Sequence, residues 1–267
     1  MHVATTAADL GRNDPGLGSK VPEVTLWFWL IKIMATTVGE TAADLLSARL
    51  GLGLGVTSLI MSVVFVVALV LQVRATRYVP ALYWFTVVAI SVVGTLVSDN
   101  LVDGYGVSLV TTSIVFAIIL AVVFAAWWRS EGTLSIHSIV TRRRELFYWA
   151  AILFTFALGT SVGDLLAETL DLGYGTAALV FGGMIAIVTV AHYALKLDAV
   201  LAFWTAYVLT RPLGASLGDL FAKPAIAGGY GLGTVTTSFI FLAAILSLVV
   251  YLTLSKADRL DAAPAPR

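Results

Sequence analysis

Long apolar runs alternate with short polar breaks along the whole chain. Runs such as MSVVFVVALVLQV and FIFLAAILSLVVYLTL carry no charge. A transmembrane helix needs about 20 consecutive, mostly apolar residues. The pattern predicts eight such spans, at roughly 24–46, 55–74, 81–102, 107–128, 146–169, 176–195, 199–221 and 233–254. The even-numbered spans are almost purely apolar. The odd-numbered ones hold Lys32, Glu40, Asp44, Asp99, Asp164, Arg211 and Asp219. Spans greasy all round are expected to face lipid, and spans with embedded charge to face one another. The expected fold is therefore an all-α polytopic membrane protein, odd helices inner and even helices outer.

A repeat runs through this pattern. Trp29, Trp84, Trp149 and Trp204 each precede a glycine by ten residues: Gly39, Gly94, Gly159 and Gly214. Four residues on stands a small residue, Ala43, Ser98, Gly163 or Gly218, and the next residue is always aspartate: Asp44, Asp99, Asp164 and Asp219. A Gly-x-Gly turn closes each copy, at Gly53/Gly55, Gly104/Gly106, Gly173/Gly175 and Gly229/Gly231. The tryptophans lie 55, 65 and 55 residues apart, so the copies form two halves of two repeats each. Two spans per repeat mean that each repeat enters the membrane the same way round, as parallel repeats do. The organisation expected is a tail at 1–22, a first half at 23–128, a basic linker at 129–145, a second half at 146–255 and a tail at 256–267, both tails short and disordered.

Four tandem repeats with two spans and a tryptophan in each resemble a bacterial family of uncharacterised membrane-anchored proteins, known as a repeat of unknown function. The Trp-x9-Gly-x4-Asp register carries the resemblance over about residues 23 to 255. The first copy departs slightly, with Gly53-Leu54-Gly55 where the others have Gly-Tyr-Gly. The resemblance implies the architecture and a bacterial setting. It implies no substrate.

Composition narrows the function classes. Of 267 residues 59% are hydrophobic and 12% charged, against about a quarter charged in soluble domains. Net charge is zero, which leaves no electrostatic footprint for nucleic acid. There is no cysteine and only three histidines, so thiolate and His-rich metal sites are excluded. Twelve of the sixteen Lys and Arg lie in the tails and after even spans, whereas only Arg49 and Lys223 follow odd spans. The positive-inside rule then puts both termini in the cytoplasm of a bacterial inner membrane. The N-terminus lacks the apolar stretch of a secretory signal.

The repeated residues suggest roles. The tryptophans, flanked by further aromatics at the expected cytoplasmic ends, read as an interfacial belt. Gly39, Gly94, Gly159, Gly163, Gly214 and Gly218 read as packing residues that let odd helices converge. Asp44, Asp99, Asp164 and Asp219 fall about 22 Å along each helix from its tryptophan, at one shared depth. Glu40, Asp103 and Glu168 stand four residues from three of them, and such like-charge pairs ask for a cation or protons. Clustered carboxylates without His or Cys suit hard cations such as Mn²⁺, Ca²⁺ or Mg²⁺. Lys32 and Arg211 lie deeper and are candidates for charge balance or for holding an anionic group. Pro212 beside Arg211 suggests a kinked or broken seventh span.

The expectation is a secondary transporter or exporter with a carboxylate-lined cation or proton site, its partners being the bilayer and that small ligand. No cofactor is expected. No nucleophile–base constellation or metal-ligand helix motif marks an enzyme. The alternative is a non-transporting scaffold or sensor, whose basic Arg142–Arg144 segment meets anionic lipid or a partner.

Overall fold

The structure, a computed structural model, describes residues 19–258. The expected tails therefore lie largely outside the described residues. Eight long helices make up most of the described residues: α1 (Leu26–Asp44), α2 (Gly53–Arg74), α3 (Pro80–Asp99), α4 (Leu109–Glu131), α5 (Arg142–Asp164), α6 (Gly173–Leu195), α7 (Ala199–Ala222) and α8 (Thr234–Ser255). Their starts are chemically marked. The side chains of Thr25, Ser108, Thr141 and Asp198 accept from backbone N–H groups in the first turns of α1, α4, α5 and α7, and Pro80 opens α3.

Six of the helices, α2 to α6 and α8, are long and apolar enough to cross a membrane. The two that fall short, α1 and α7, are those that carry Lys32, Glu40, Arg211 and Asp219. In lipid a helix is favoured because it satisfies every backbone polar group internally. The apolar stretches of α3 and α5 are 72% and 61% buried, whereas those of α2, α4, α6 and α8 are only 17%, 22%, 11% and 28% buried. The odd helices thus make the interior and the even ones the lipid-facing shell.

The odd helices touch in a closed ring: α1 on α3, α3 on α5, α5 on α7, and α7 on α1. Each even helix packs chiefly on the odd helix of the next repeat. Thus α2 lies on α3, α4 on α5, α6 on α7, and α8 returns to α1. Polar contacts follow the same rule, with Ser238 of α8 donating to Thr41 of α1 at 2.7 Å. The amide of Asn100, directly after α3, donates to Ser58 of α2 at 2.7 Å.

The repeated glycines explain the ring. A Cβ on Gly39 would lie 1.9 Å from the Ser91 hydroxyl of α3, and one on Gly94 would lie 2.4 Å from Phe156 Cβ of α5. One on Gly159 would lie 2.3 Å from the Arg211 stem of α7, and one on Gly214 would lie 1.7 Å from Thr36 of α1. All four neighbours stand seven residues after their own tryptophan. One contact is therefore made four times around an axis, and only glycine permits it.

The tryptophan end of the ring is closed. Residues 19–22, expected in the N-terminal tail, pack into it, with Lys20 3% exposed and paired to Glu145 at 2.9 Å. Gln72 donates to the Lys20 carbonyl and to the same Glu145. Tyr78 donates to Asp258 at 2.5 Å, and the amide of Glu23 donates to the Asp258 carbonyl at 3.0 Å. In the linker, Ile136 and Ile139 are buried, and the Trp204 indole donates to the Leu134 carbonyl at 2.9 Å. The basic residues Arg142–Arg144 form the first turn of α5, where Arg144 and Arg143 pair with Glu131 at the end of α4.

A cation-lined axis and a carboxylate layer

Reading along the ring from its closed end gives successive layers. The first is aromatic. Phe28, Tyr83, Tyr148 and Phe203, each just before a repeat tryptophan, are buried, and the Tyr83 and Tyr148 hydroxyls hydrogen-bond each other. Trp84, Trp149 and Trp204 are 1%, 2% and 5% exposed, and Trp29 is half-buried. The rings pack edge-to-face within the bundle, Tyr83 on Trp84 and Tyr148 on Trp149, so Trp84, Trp149 and Trp204 face other helices instead of forming the exposed rim that an interfacial belt requires.

The second layer holds two buried cations. Lys32 donates to the Tyr207 carbonyl at 2.7 Å and to the Thr210 hydroxyl, and its ammonium lies 3.9 Å from the centre of the Tyr207 ring. Arg211 is fully buried. Its Nη2 donates to Glu40 Oε2 at 3.1 Å, to Thr160 Oγ1 at 2.7 Å and to Thr95 Oγ1, while Nη1 donates to the Thr36 carbonyl at 3.3 Å. Glu40, Thr95 and Thr160 all stand eleven residues after their tryptophans, and the fourth equivalent is Ala215. Three arms of one ring therefore turn their oxygens to a single nitrogen. Pro212 does not break α7, which runs unbroken from Ala199 to Ala222. Its missing N–H costs one backbone bond without interrupting the helix.

The third layer is anionic. One carboxylate oxygen each from Glu40, Asp164 and Asp219 lies within 4.8 Å of the others, contributed by α1, α5 and α7. Asp99 and Asp44 are half-buried beside them. Lys223, just past α7, reaches Asp44 at 3.3 Å and Asp219 at 3.6 Å. Partial burial alone lowers the pKa of the Lys223 ammonium, but the Asp219 and Asp44 carboxylates outweigh it and hold it above the usual lysine range. A raised pKa means that the pairing is fully present below the ordinary lysine value, and it is lost only as pH climbs through the higher one. Ser98 and Ser161 hydrogen-bond at 2.8 Å across α3 and α5 at the same level.

Asp44, Asp99 and Asp164 are each the last α-helical residue before a five-residue π-helical turn, at Leu45–Arg49, Asn100–Gly104 and Leu165–Thr169. The i→i+5 bonds from Leu50, Tyr105 and Leu170 measure 2.9, 3.0 and 3.0 Å. Such single wide turns concentrate at functional sites. In all four repeats, one glycine of the Gly-x-Gly turn has positive φ (Gly53 74°, Gly106 70°, Gly173 72°, Gly231 75°), which a side chain would strain.

The structure thus gathers Glu40, Asp164, Asp219, Lys32 and Arg211 on the axis, with Asp44 and Asp99 adjoining. It does not gather all the candidates. Asp103 and Glu168 are exposed, and Glu168 accepts from Tyr174 at 3.1 Å. Both stand within the π turns, at the exposed end of the ring. Gly163 and Gly218 are less confined than the other four, with nearest contacts of 3.6 and 3.3 Å for an added Cβ. Thr95 and Thr160 were missed from the sequence, although their shared register with Glu40 was readable. Chemically, three carboxylates from separate helices can hold a hard cation or share protons.

A family model described as a repeat of unknown function (DUF347) matches four segments: 27–78, 82–133, 147–197 and 202–258. The chain belongs to this repeat family. Each matched segment spans most of one odd helix and the even helix after it, and Asp44, Asp99, Asp164 and Asp219 all fall within matched segments. Neither the curated proteins nor the solved structures contain a match to it.

Proposed function

We propose that this protein is a secondary transporter or exporter of the bacterial inner membrane, with a cation or proton site at the carboxylate layer. The observation that carries this reading is the approach of Glu40, Asp164 and Asp219 to within 4.8 Å on three converging helices. Of the five carboxylates there, counting Asp44 and Asp99, three are paired among the described residues: Glu40 with Arg211, and Asp44 and Asp219 with Lys223. Ionisable groups inside a helix bundle mark ion pathways and proton relays. In this reading α1 and α7 also cross the membrane, and every repeat inserts the same way round about an axis along the membrane normal. Both termini are cytoplasmic, which makes the tryptophan end the closed inner face and the carboxylate layer the outer one.

Thermal melting of the purified protein tests the site. Mn²⁺, Ca²⁺, Mg²⁺, Na⁺ and pH are varied, with Asp164→Asn as control. A ligand that binds only the folded state raises the melting point in a saturable way. The expected result is such a shift from one cation or from pH, absent in Asp164→Asn. A response flat in both rejects the site.

A second reading, a scaffold or sensor, draws on a different observation. Lys32 and Arg211 are 1% and 0% exposed, so the layer that holds them is shut off from the surface in this conformation. Cysteine accessibility at Thr36 and Thr95 separates the two readings. Labelling by a small aqueous thiol reagent supports the carrier, and complete protection under all ionic conditions supports the scaffold.

A further inference from the structure

The oxygens next to the carboxylate triad already hold a cation, and it is the chain's own. We propose that Arg211 is a tethered competitor: its guanidinium occupies the axis until a hard divalent cation at the Glu40–Asp164–Asp219 triad takes Glu40 from it. This rests on the carboxylate reading above and adds the residue that sets affinity and exchange.

Three observations carry it. The first is register. Seven residues after each tryptophan stand Thr36, Ser91, Phe156 and Arg211, so one repeat in four sends a charge to the axis where the others send neutral groups. Its stem crosses α5 at Gly159, where an added Cβ would lie 2.3 Å away. The second is the grip. A structural arginine–carboxylate pair is best made with two parallel hydrogen bonds. Here a single nitrogen, Nη2, serves Glu40, Thr95 and Thr160, while the buried Nε–H has no acceptor. The pair is monodentate, and releasing it gives up one charged contact instead of a locked fork. The third is sharing. Oε2 of Glu40 accepts from Arg211, and the same carboxylate supplies one oxygen of the triad. A divalent ion there takes that carboxylate as ligand and repels the guanidinium a few ångströms away. The two cations therefore bind with negative coupling, and that coupling is reciprocal. With oxygen ligands only, the ion is of the Mg²⁺, Ca²⁺ or Mn²⁺ class.

Mn²⁺ is the probe, because its free-ion paramagnetic resonance signal disappears on binding. Titrations use the full-length protein in detergent, as wild type, Arg211→Thr and Arg211→Lys. Threonine is the residue that the first repeat places at this register. The expected result is Mn²⁺ binding about tenfold or more tighter in Arg211→Thr, since one neighbouring positive charge is gone. Low-millimolar guanidinium chloride should reverse that gain in Arg211→Thr and leave the wild type unaffected. Mn²⁺ affinity no greater in folded Arg211→Thr than in a wild type that binds overturns the competitor role and leaves the carboxylate site standing. Absence of Mn²⁺ binding in both overturns the two together. If Arg211→Thr does not fold, Arg211→Lys decides: its compact ammonium reaches fewer ring oxygens, so a severalfold gain supports the proposal and an unchanged affinity overturns it.

Discussion

A single methyl group discriminates among the repeat glycines. An added Cβ on Gly94 meets Phe156 Cβ at 2.4 Å and the Ala157 backbone nitrogen at 3.2 Å, and backbone cannot swing aside. On Gly163 the nearest atoms are at 3.6 Å, an ordinary contact. Gly94→Ala should therefore destabilise by about 1–3 kcal/mol through forced separation of α3 and α5. Gly163→Ala should be neutral or stabilising by up to ~1 kcal/mol, the helix-propensity gain of alanine over glycine. Denaturation of the two variants in the same detergent checks this, and equal losses would show that the ring is not in contact as described. These glycines were legible from spacing four apart on one face, but the sequence put all six on a par. Only the neighbours opposite them divide the tight contacts from the loose ones.

Among elements, the informative feature is which helix packs on which. Sequence adjacency suggests that α1 and α2 form a hairpin. Instead α2 lies on α3, and α8 closes the circle on α1. The Ser238–Thr41 bond belongs to that closure. Ser238→Ala should cost about 0.5–1.5 kcal/mol, the usual net value of one hydrogen bond. The double variant with Thr41→Ala should cost less than the sum of the two singles, as contacting residues do. Additive losses would place α8 elsewhere. Hydroxyls near the starts of the even spans, Ser58 and Ser238 among them, were visible in the sequence. Their partners were not, because a transmembrane span names its lipid-facing side by composition and its neighbour only by shape. The π turns after Asp44, Asp99 and Asp164 were likewise illegible, since a widened turn leaves no residue signature.

Across the whole molecule, the ring makes the two halves interdependent. Contacts of α4 with α5, α3 with α5, α7 with α1 and α8 with α1 all cross the linker. Separated at residue 133, neither half buries its odd helices. Each half expressed alone should therefore be degraded or aggregate. The two co-expressed should co-purify and melt as one unit. A half that is stable by itself would show two independent bundles. The closed tryptophan end adds to this unity, because Lys20 before α1 and Glu145 in α5 meet there as a buried pair.

Apolar run length and charge placement determined by themselves the class of molecule, the positions of the eight long helices and the division into inner and outer helices. Each follows from transfer of side chains to lipid, which is local and additive along the chain. The fourfold recurrence of Trp, Gly and Asp determined the repeat and pointed to the carboxylate layer, because equal spacing on equal helices gives equal depth. Tertiary structure alone decided that Trp84, Trp149 and Trp204 are interior and that Asp103 and Glu168 are exposed. It also decided that residues 19–22 pack as part of the closed end, and that Arg211 sits among Glu40, Thr95 and Thr160. Those outcomes depend on the rotation of each helix about its axis and on which faces meet across the ring. Burial of a charge is settled by the partners that surround it, and these come from repeats far apart in the chain.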